Sequence, residues 1–509
     1  MHVPLTVNDF LERGALVYPD RVAVVDEPDQ PAPPVGPWTY TQLAAAAASQ
    51  SAALDRLGVP VGGRVAIVSH NSARLLTSFF GVSGSGRVLV PVNFRLAPAE
   101  VEYIVGHSGA QVLLVDPELT HLFDTVRTGH DYVLGECDDE FFSGRDSGRP
   151  WEGDETATAT INYTSGTTAR PKGVQLTHRN LWVNAVTFAM HTTVSDRDVL
   201  LHTLPMFHAN GWGMPYAVSG VGGRHIVLRK VDGAEVLRRV EEHGVTLLCG
   251  APAVLAMVLD AAATWDGPIP GRDRVRVVVA GAPPPTRTIE RIETELGWEF
   301  IQIYGLTETA PLLTINRRRS EWDDLEPGER ARLLGRAGAP ALGVRLRTDE
   351  SDEVLARSNV VLESYWQQPE ESAQALEGGW FHTGDGGHLD DGYLTISDRK
   401  KDVIISGGEN VSSIEVEDAI ASHPAVREVA VVGTPDDRWG EAVTALIVTD
   451  GSDLTAEDVI AHCRSRLAGY KCPKRVEFRE SLPRTATGKL QKFKLRADFW
   501  QGQERSIKG

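Results

Sequence analysis

Residues 157–190 read ATATINYTSGTTARPKGVQLTHRNLWVNAVTFAM. Positions 157–163 alternate toward a strand, and 178–190 follow the period of a helix. Between them stands Thr164-Ser165-Gly166-Thr167-Thr168-Ala169-Arg170-Pro171-Lys172-Gly173. Small hydroxyl residues and glycines let backbone N–H groups approach an anion, and hydroxyls and a lysine supply further donors. The expected arrangement is strand, phosphate-holding loop, helix. Lys172 is followed by Gly rather than Ser or Thr, so this is not a Walker A loop. Any single Ser or Thr here reads equally well as part of a solvated turn; the whole string does not.

The alternation continues outward. Apolar runs at 64–69, 111–115, 275–279 and 300–303 read as strands, with helical periods following at 71–82 and 285–296. Strands alternating with helices predict an α/β architecture with largely parallel sheets. The alanines at 44–48 read as ordinary helix, and the polar stretch 139–155, with Pro150 and Gly153, reads as a surface connection. The texture changes near 384–410. Beyond it a helix (412–422), strands (427–433 and 442–448), a helix (455–466) and a strand (474–478) make a small α+β unit. The expected division is 1–400 and 401–509, with the boundary near Lys401.

At 509 residues the chain is too long for one core. Its 51 Lys and Arg against 69 Asp and Glu leave a formal charge of −18, which argues against a nucleic-acid partner. Asp9, Glu12 and Arg13 stand where a signal peptide needs an apolar core, and no apolar run is long enough to span a bilayer. Cys137, Cys249, Cys463 and Cys472 lack metal-ligand spacing and read as reduced thiols. The expectation is a cytoplasmic protein.

Further motifs follow in order: Gly281-Ala282-Pro283 after the 275–279 strand, Tyr304-Gly305-Leu306-Thr307-Glu308-Thr309 after the 300–303 strand, His382-Thr383-Gly384-Asp385, Asp398-Arg399-Lys400-Lys401-Asp402, and Pro483-Arg484-Thr485-Ala486-Thr487-Gly488-Lys489. A carboxylate at a strand's C-terminal end can hold Mg²⁺ against polyphosphate, and Asp385 is an acceptor suited to two hydroxyl donors. With the loop at 164–173, these motifs closely resemble the signatures of the adenylate-forming superfamily of acyl-CoA synthetases, nonribosomal adenylation domains and luciferases. The resemblance runs from about Tyr40 to Lys489 and is closest to the fatty or aryl acyl-CoA synthetases. One departure is Ala169, where the family usually has Gly.

The resemblance implies a large N-terminal domain of α/β layers with a β-barrel-like part, and a small mobile α+β C-terminal domain. It implies that Thr164, Ser165, Gly166, Thr167, Thr168 and Lys172 hold ATP phosphates, that Gly281, Ala282 and Pro283 flank adenine, and that Tyr304 stacks on it. Thr307 would contact the adenylate phosphate, Thr309 would belong to the same nucleotide site, and Glu308 would bind Mg²⁺. Asp385 would bind the ribose, Arg399 the ribose and phosphate. Lys489 would stabilise charge on the α-phosphate, where a positioned cation acts most strongly without water. Lys401 would be the hinge about which the small domain rotates between half-reactions. Gly407 and Gly408 would line a thiol tunnel, or form a tight turn, or both.

The string Leu204-Pro205-Met206-Phe207-His208-Ala209-Asn210-Gly211-Trp212-Gly213 resembles the acyl-CoA synthetase version of the region beside the acyl pocket. Asn210, Gly211 and Trp212 are assigned to that pocket, Trp212 reading equally as wall or core, and His208 to a gate or carboxylate neighbour. No Asp answers the ammonium of an amino acid, and an uncompensated buried ammonium costs several kcal/mol. Asp352-Glu353, Glu363-Ser364-Tyr365-Trp366 and Ser413 also depart from the family pattern and are taken to lie away from the chemistry. The implied function is an ATP- and Mg²⁺-dependent ligase joining a short or medium fatty or aromatic acid to coenzyme A. It would act as a monomer or homodimer without nucleic acid. The alternatives are an acyl carrier protein or an amine as acceptor, and a homologue that has lost adenylation.

Overall fold

The computed structural model describes residues 1–144, 146–164, 170–281, 284–399, 402–406, 409–436, 438–485 and 490–500. Alternation along single strands explains the layering. Val65 and Ile67 of the strand Arg64–Val68 point into one core, and Ala66 and Val68 point into another. In the strand Val199–His202, Leu200 joins the first core and Leu201 a third. Since side chains alternate between faces, two sheets share a central apolar layer and each carries a second one outside.

Among the described residues one sheet has seven strands and the other nine. Their central pairings are parallel, as between Arg64–Val68 and Val88–Val92 or between Leu247–Gly250 and Arg276–Val279, and antiparallel pairings lie toward the edges. Helices Tyr40–Arg56, Ala73–Gly81, His178–His191 and Met214–Val221 contribute side chains to the shared layer. The order is helices, sheet, helices, sheet, helices. Ser72 caps the second of these helices by accepting from Leu75 N–H at 3.1 Å, a contact that satisfies one orphan donor of the first turn.

The barrel-like part is an open, four-stranded antiparallel sheet of Arg345–Thr348, Glu353–Arg357, Phe381–Asp390 and Tyr393–Arg399. Beyond it, Ser413–Ala421 and Ala456–Arg464 pack with the strands Val426–Asp436, Gly440–Thr449 and Arg475–Phe478 around a separate core. Several contacts among the described residues join this small part to the large one. Asp418 Oδ1 accepts from Thr286 N–H at 2.8 Å, and Asp398 Oδ2 accepts from Ser413 N–H at 2.9 Å.

Two sequence expectations are corrected. The phosphate string does not join a strand to a helix. Lys172–Thr177 is itself a strand, antiparallel to Thr158–Thr164, so Thr164 and Lys172 at the string's flanks are paired across a β-hairpin. Val174 and Leu176 drive this by burying on one face, and the helix starts at the hairpin's far end, where Thr177 and Asn180 form a capping box. The stretch 139–155 is not purely a surface connection either, because Phe141 and Phe142 are buried in the central core.

Candidate active site

The strand Glu299–Gly305 delivers Tyr304 to the edge of the four-stranded sheet. Its hydroxyl donates to Asp385 Oδ2 at 2.8 Å, which brings together residues 81 positions apart. Asp385 is buried and held from below. Its N–H donates to Thr383 Oγ1 at 3.2 Å, and Thr383 Oγ1 donates to Val354 O at 2.7 Å. Gly384, at φ +72°, takes the left-handed turn that presents the carboxylate, and its N–H donates to Glu353 Oε1 at 2.9 Å. Arg399 pairs opposite Asp385 through the backbone; its side chain lies outside the described residues.

Gly305 closes the strand where the chain doubles back. A Cβ there would lie 1.6 Å from Pro311 O, so no other residue fits this close approach. The turn Thr307–Thr309 follows. Thr307 faces a cleft, whereas Thr309 is fully buried, its hydroxyl accepting from Leu306 N–H at 3.0 Å and donating to Pro311 O at 2.7 Å. Thr309 therefore braces the turn from inside instead of facing a nucleotide.

Glu308 is half-buried, and its Oε1 accepts from Tyr365 Oη at 3.0 Å. Burial, followed by the neighbouring Glu308 charge and this bond, holds the Tyr365 phenol well above its ordinary pKa. Lys172 Nζ lies 4.9 Å from the centre of the same ring, within cation–π range. Across the hairpin Lys172 pairs with Thr164. Among the described residues no group of three or more His, Cys, Asp or Glu could hold a metal ion by itself. One carboxylate is nevertheless enough protein for a Mg²⁺ that arrives on a polyphosphate, and Glu308 fits that requirement.

The cleft is lined by His208, Ala209, Trp212, Ala280, Gly281 and Thr307 among others, and has a volume of about 350 Å³ including space open to solvent. One wall is a turn of unusual hand. Ala209, Asn210, Gly211, Trp212 and Gly213 have φ of +44°, +55°, +58°, +58° and +80°. Such a left-handed run costs roughly 1–2 kcal/mol for each ordinary residue. With about three residues per turn, Ala209 and Trp212 share the face toward the cleft. Asn210 and Gly213 face inward, and Gly211 backs onto Met206 and Pro215. Asn210 secures the turn through a closed ring of bonds. Its Nδ2 donates to Thr160 Oγ1 at 3.0 Å, Thr160 Oγ1 donates to Asn162 Oδ1 at 2.8 Å, and Asn162 Nδ2 donates to Asn210 Oδ1 at 3.0 Å.

This geometry corrects the pocket assignment. Trp212 lines the cleft, but Asn210 and Gly211 stand behind it, because the reversed hand turns them away. Ser165, Gly166, Thr167 and Thr168, with Ala169, lie outside the described residues, as do Ala282, Pro283, Lys401, Gly407, Gly408 and Lys489.

The three stretches that hold these departures are not remote, although Tyr365 and Glu353 themselves match the family pattern. Tyr365 touches Glu308. Glu353 holds the backbone next to Asp385 and reaches His382 Nδ1 at 3.4 Å. Ser413 donates through both its N–H and its hydroxyl, the latter at 2.5 Å, to Asp398, the neighbour of Arg399. Thr160 and Asn162 were also missed. Their alternation with Ala159 and Ile161 reads as the solvated face of a strand, and only the fold shows that this face is buried.

The AMP-binding enzyme model matches residues 11–361, and the AMP-binding enzyme C-terminal domain model matches 415–489. The chain is 38% identical to 4-hydroxybutyrate–CoA ligase 2 of Metallosphaera sedula, over 97% of this chain and 94% of that protein. It is 37% identical to 2-methylpropanoate–CoA ligase CCL4 of Humulus lupulus, over 97% and 95%. Among solved structures, the anthranilate CoA ligase AuaEII in complex with anthranoyl-AMP superposes with a TM-score of 0.86 at 27% identity, covering 98% of each chain. The chain belongs to the AMP-binding enzymes, the adenylate-forming superfamily. Within it, the chain stands on the acyl-CoA synthetase branch, as an AMP-forming acid–CoA ligase. No helix of the described residues is long and apolar enough to cross a membrane.

Proposed function

We propose that this ligase activates a short aliphatic acid of about four carbons. The observation that carries the reading is the likeness, at 37% and 38% identity over 97% of the chain, to two ligases of four-carbon acids. Trp212 and Leu306 give the cleft an apolar side, beside the polar His208 and Thr307. The acids named for the two relatives above, 4-hydroxybutyrate and 2-methylpropanoate, support the same size.

In this reading the acid's carboxylate attacks the α-phosphorus of ATP and pyrophosphate leaves; the thiol of CoA then attacks the acyl carbonyl and AMP leaves. Tyr304 packs on adenine, Asp385 and Arg399 hold the ribose, and Thr307 contacts the adenylate phosphate. Thr164 and Lys172, with Ser165, Gly166, Thr167 and Thr168 between them in sequence, hold the phosphates. Gly281 with Ala282 and Pro283 borders the base, and His208 neighbours the carboxylate. Glu308 would hold a Mg²⁺ brought by ATP, which when bound would supply positive charge to the phosphates. Lys489 supplies the cation at the α-phosphate. Residues 401–509 turn as a unit about Lys401 relative to 1–400, and Gly407 and Gly408 leave room for the pantetheine arm. The protein contributes position and charge, with no covalent nucleophile. A reducing, cytoplasmic setting suits the four unpaired, buried thiols.

The test is pyrophosphate release from ATP and Mg²⁺ across acids of two to eight carbons and benzoates, with and without CoA. Release that peaks near four carbons, falls at least a hundredfold in Lys489→Ala and yields a CoA thioester is expected. A preference for eight-carbon or aromatic acids overturns the substrate reading, and release without thioester overturns CoA as acceptor.

A further inference from the structure

We infer that Tyr365 is a positioning residue of the adenylation step, fixing the Glu308 carboxylate relative to the phosphate hairpin; this rests on the reading of Glu308 as the Mg²⁺ ligand. Glu308 sits on a three-residue turn and is half-exposed. The segment 362–366 supplies the aim. Leu362 N–H donates to Glu308 O at 2.7 Å and fixes the main chain, while Tyr365 Oη donates to Oε1 at 3.0 Å and fixes the carboxylate.

The same segment is fastened to the hairpin. Ser364 and Tyr365 pair with Gln175 and Val174, Trp366 N–H donates to Gly173 O at 2.7 Å, and Ser364 Oγ donates to Gln175 Oε1 at 2.6 Å. Tyr365 is itself locked, 8% exposed, with its N–H on Ser372 Oγ at 2.8 Å. Lys172, at the hairpin's edge, lies over its ring. One aromatic side chain thus spans Glu308 and Lys172, the two groups that in the proposed reading would hold Mg²⁺ and the phosphates. A neutral phenol is suited to this because it donates one bond and leaves the carboxylate its charge. Mg²⁺ demands near-ideal octahedral geometry, so a lone carboxylate ligand that is aimed serves better than one that swings.

The experiment compares wild type, Tyr365→Phe and Glu308→Gln. Two quantities are read: the Mg²⁺ concentration giving half-maximal pyrophosphate release, and Mn²⁺ binding in the presence of a non-hydrolysable ATP analogue, followed by electron paramagnetic resonance. Loss of a residue that orients a metal ligand costs about 10–100-fold in metal affinity. Tyr365→Phe is expected to weaken both by about tenfold, while thioester formation from supplied acyl-adenylate and CoA stays within about twofold. If Glu308→Gln shifts the metal dependence and Tyr365→Phe does not, the inference on Tyr365 is overturned and the reading of Glu308 stands. If neither variant shifts it, the reading of Glu308 has failed. Equal slowing of both half-reactions by Tyr365→Phe, with unchanged Mn²⁺ binding, also overturns the inference by assigning the tyrosine to structure alone.

Discussion

Replacing Asn210 by alanine and by glycine separates two ways in which the left-handed wall of the cleft is held. Asn210 is fully buried and exchanges two hydrogen bonds, both at 3.0 Å, with Thr160 and Asn162. Each neutral buried bond is worth about 1 kcal/mol net, so either substitution loses about 2 kcal/mol. At φ +55° alanine also meets the left-handed penalty of roughly 1 kcal/mol, and glycine does not. Asn210→Ala is therefore expected to cost about 3 kcal/mol and Asn210→Gly about 2. That order is the reverse of the usual one, because glycine ordinarily destabilises relative to alanine. Equilibrium urea unfolding of the full chain, followed by the fluorescence of its 11 tryptophans, measures the difference. Acid-dependent pyrophosphate release on the same samples reports the wall. An alanine variant as stable as the glycine variant would refute the argument from backbone hand.

Gly305→Ala forces a Cβ to within 1.6 Å of Pro311 O, and ATP binding measured by calorimetry should fall by at least tenfold while the circular dichroism spectrum stays α/β. Stability should also fall in mild acid. Burial lowers the pKa of His178 from 6.5 to about 4 and that of His202 to about 3. The unfolded chain then binds more protons between pH 6.5 and 4, so stability is complete above about pH 6.5 and is lost as pH falls toward 4. For His178 the loss is about 3 kcal/mol, at about 1.4 kcal/mol per pH unit. His178→Gln should flatten the slope of urea midpoint against pH over that range, and an unchanged slope would count against the burial argument.

The layers were legible because each strand declares two faces in its own residues: Val65 and Ile67 for one core, Ala66 and Val68 for another. The strand Lys172–Thr177 was not, since Pro171 and Gly173 mask its start and only Val174 and Leu176 show its period. Tyr304 and Asp385 could be named from their motifs, but nothing local says that a phenol and a carboxylate 81 positions apart will bond. Glu308 and Tyr365 are the same case, at a separation of 57. The error over Asn210 and Gly211 had a different origin. They were assigned from the resemblance of the whole string 204–213, which does not say which of its residues face the cleft; the left-handed turn decides that.

That turn has a consequence for how the family member could change its diet over evolutionary time. Ala209 and Trp212 meet the cleft only because they stand three residues apart on a coil of reversed hand. Substituting either one alters the depth or width of the cleft and leaves the coil intact. Inserting or deleting a single residue between 208 and 213 would rotate the whole register, carry the Asn210 amide out of its ring with Thr160 and Asn162, and bring a polar group to the apolar wall. New acid preferences are thus reachable here by point changes and closed to changes of length, so descendants with altered substrates should keep the spacing from His208 to Gly213.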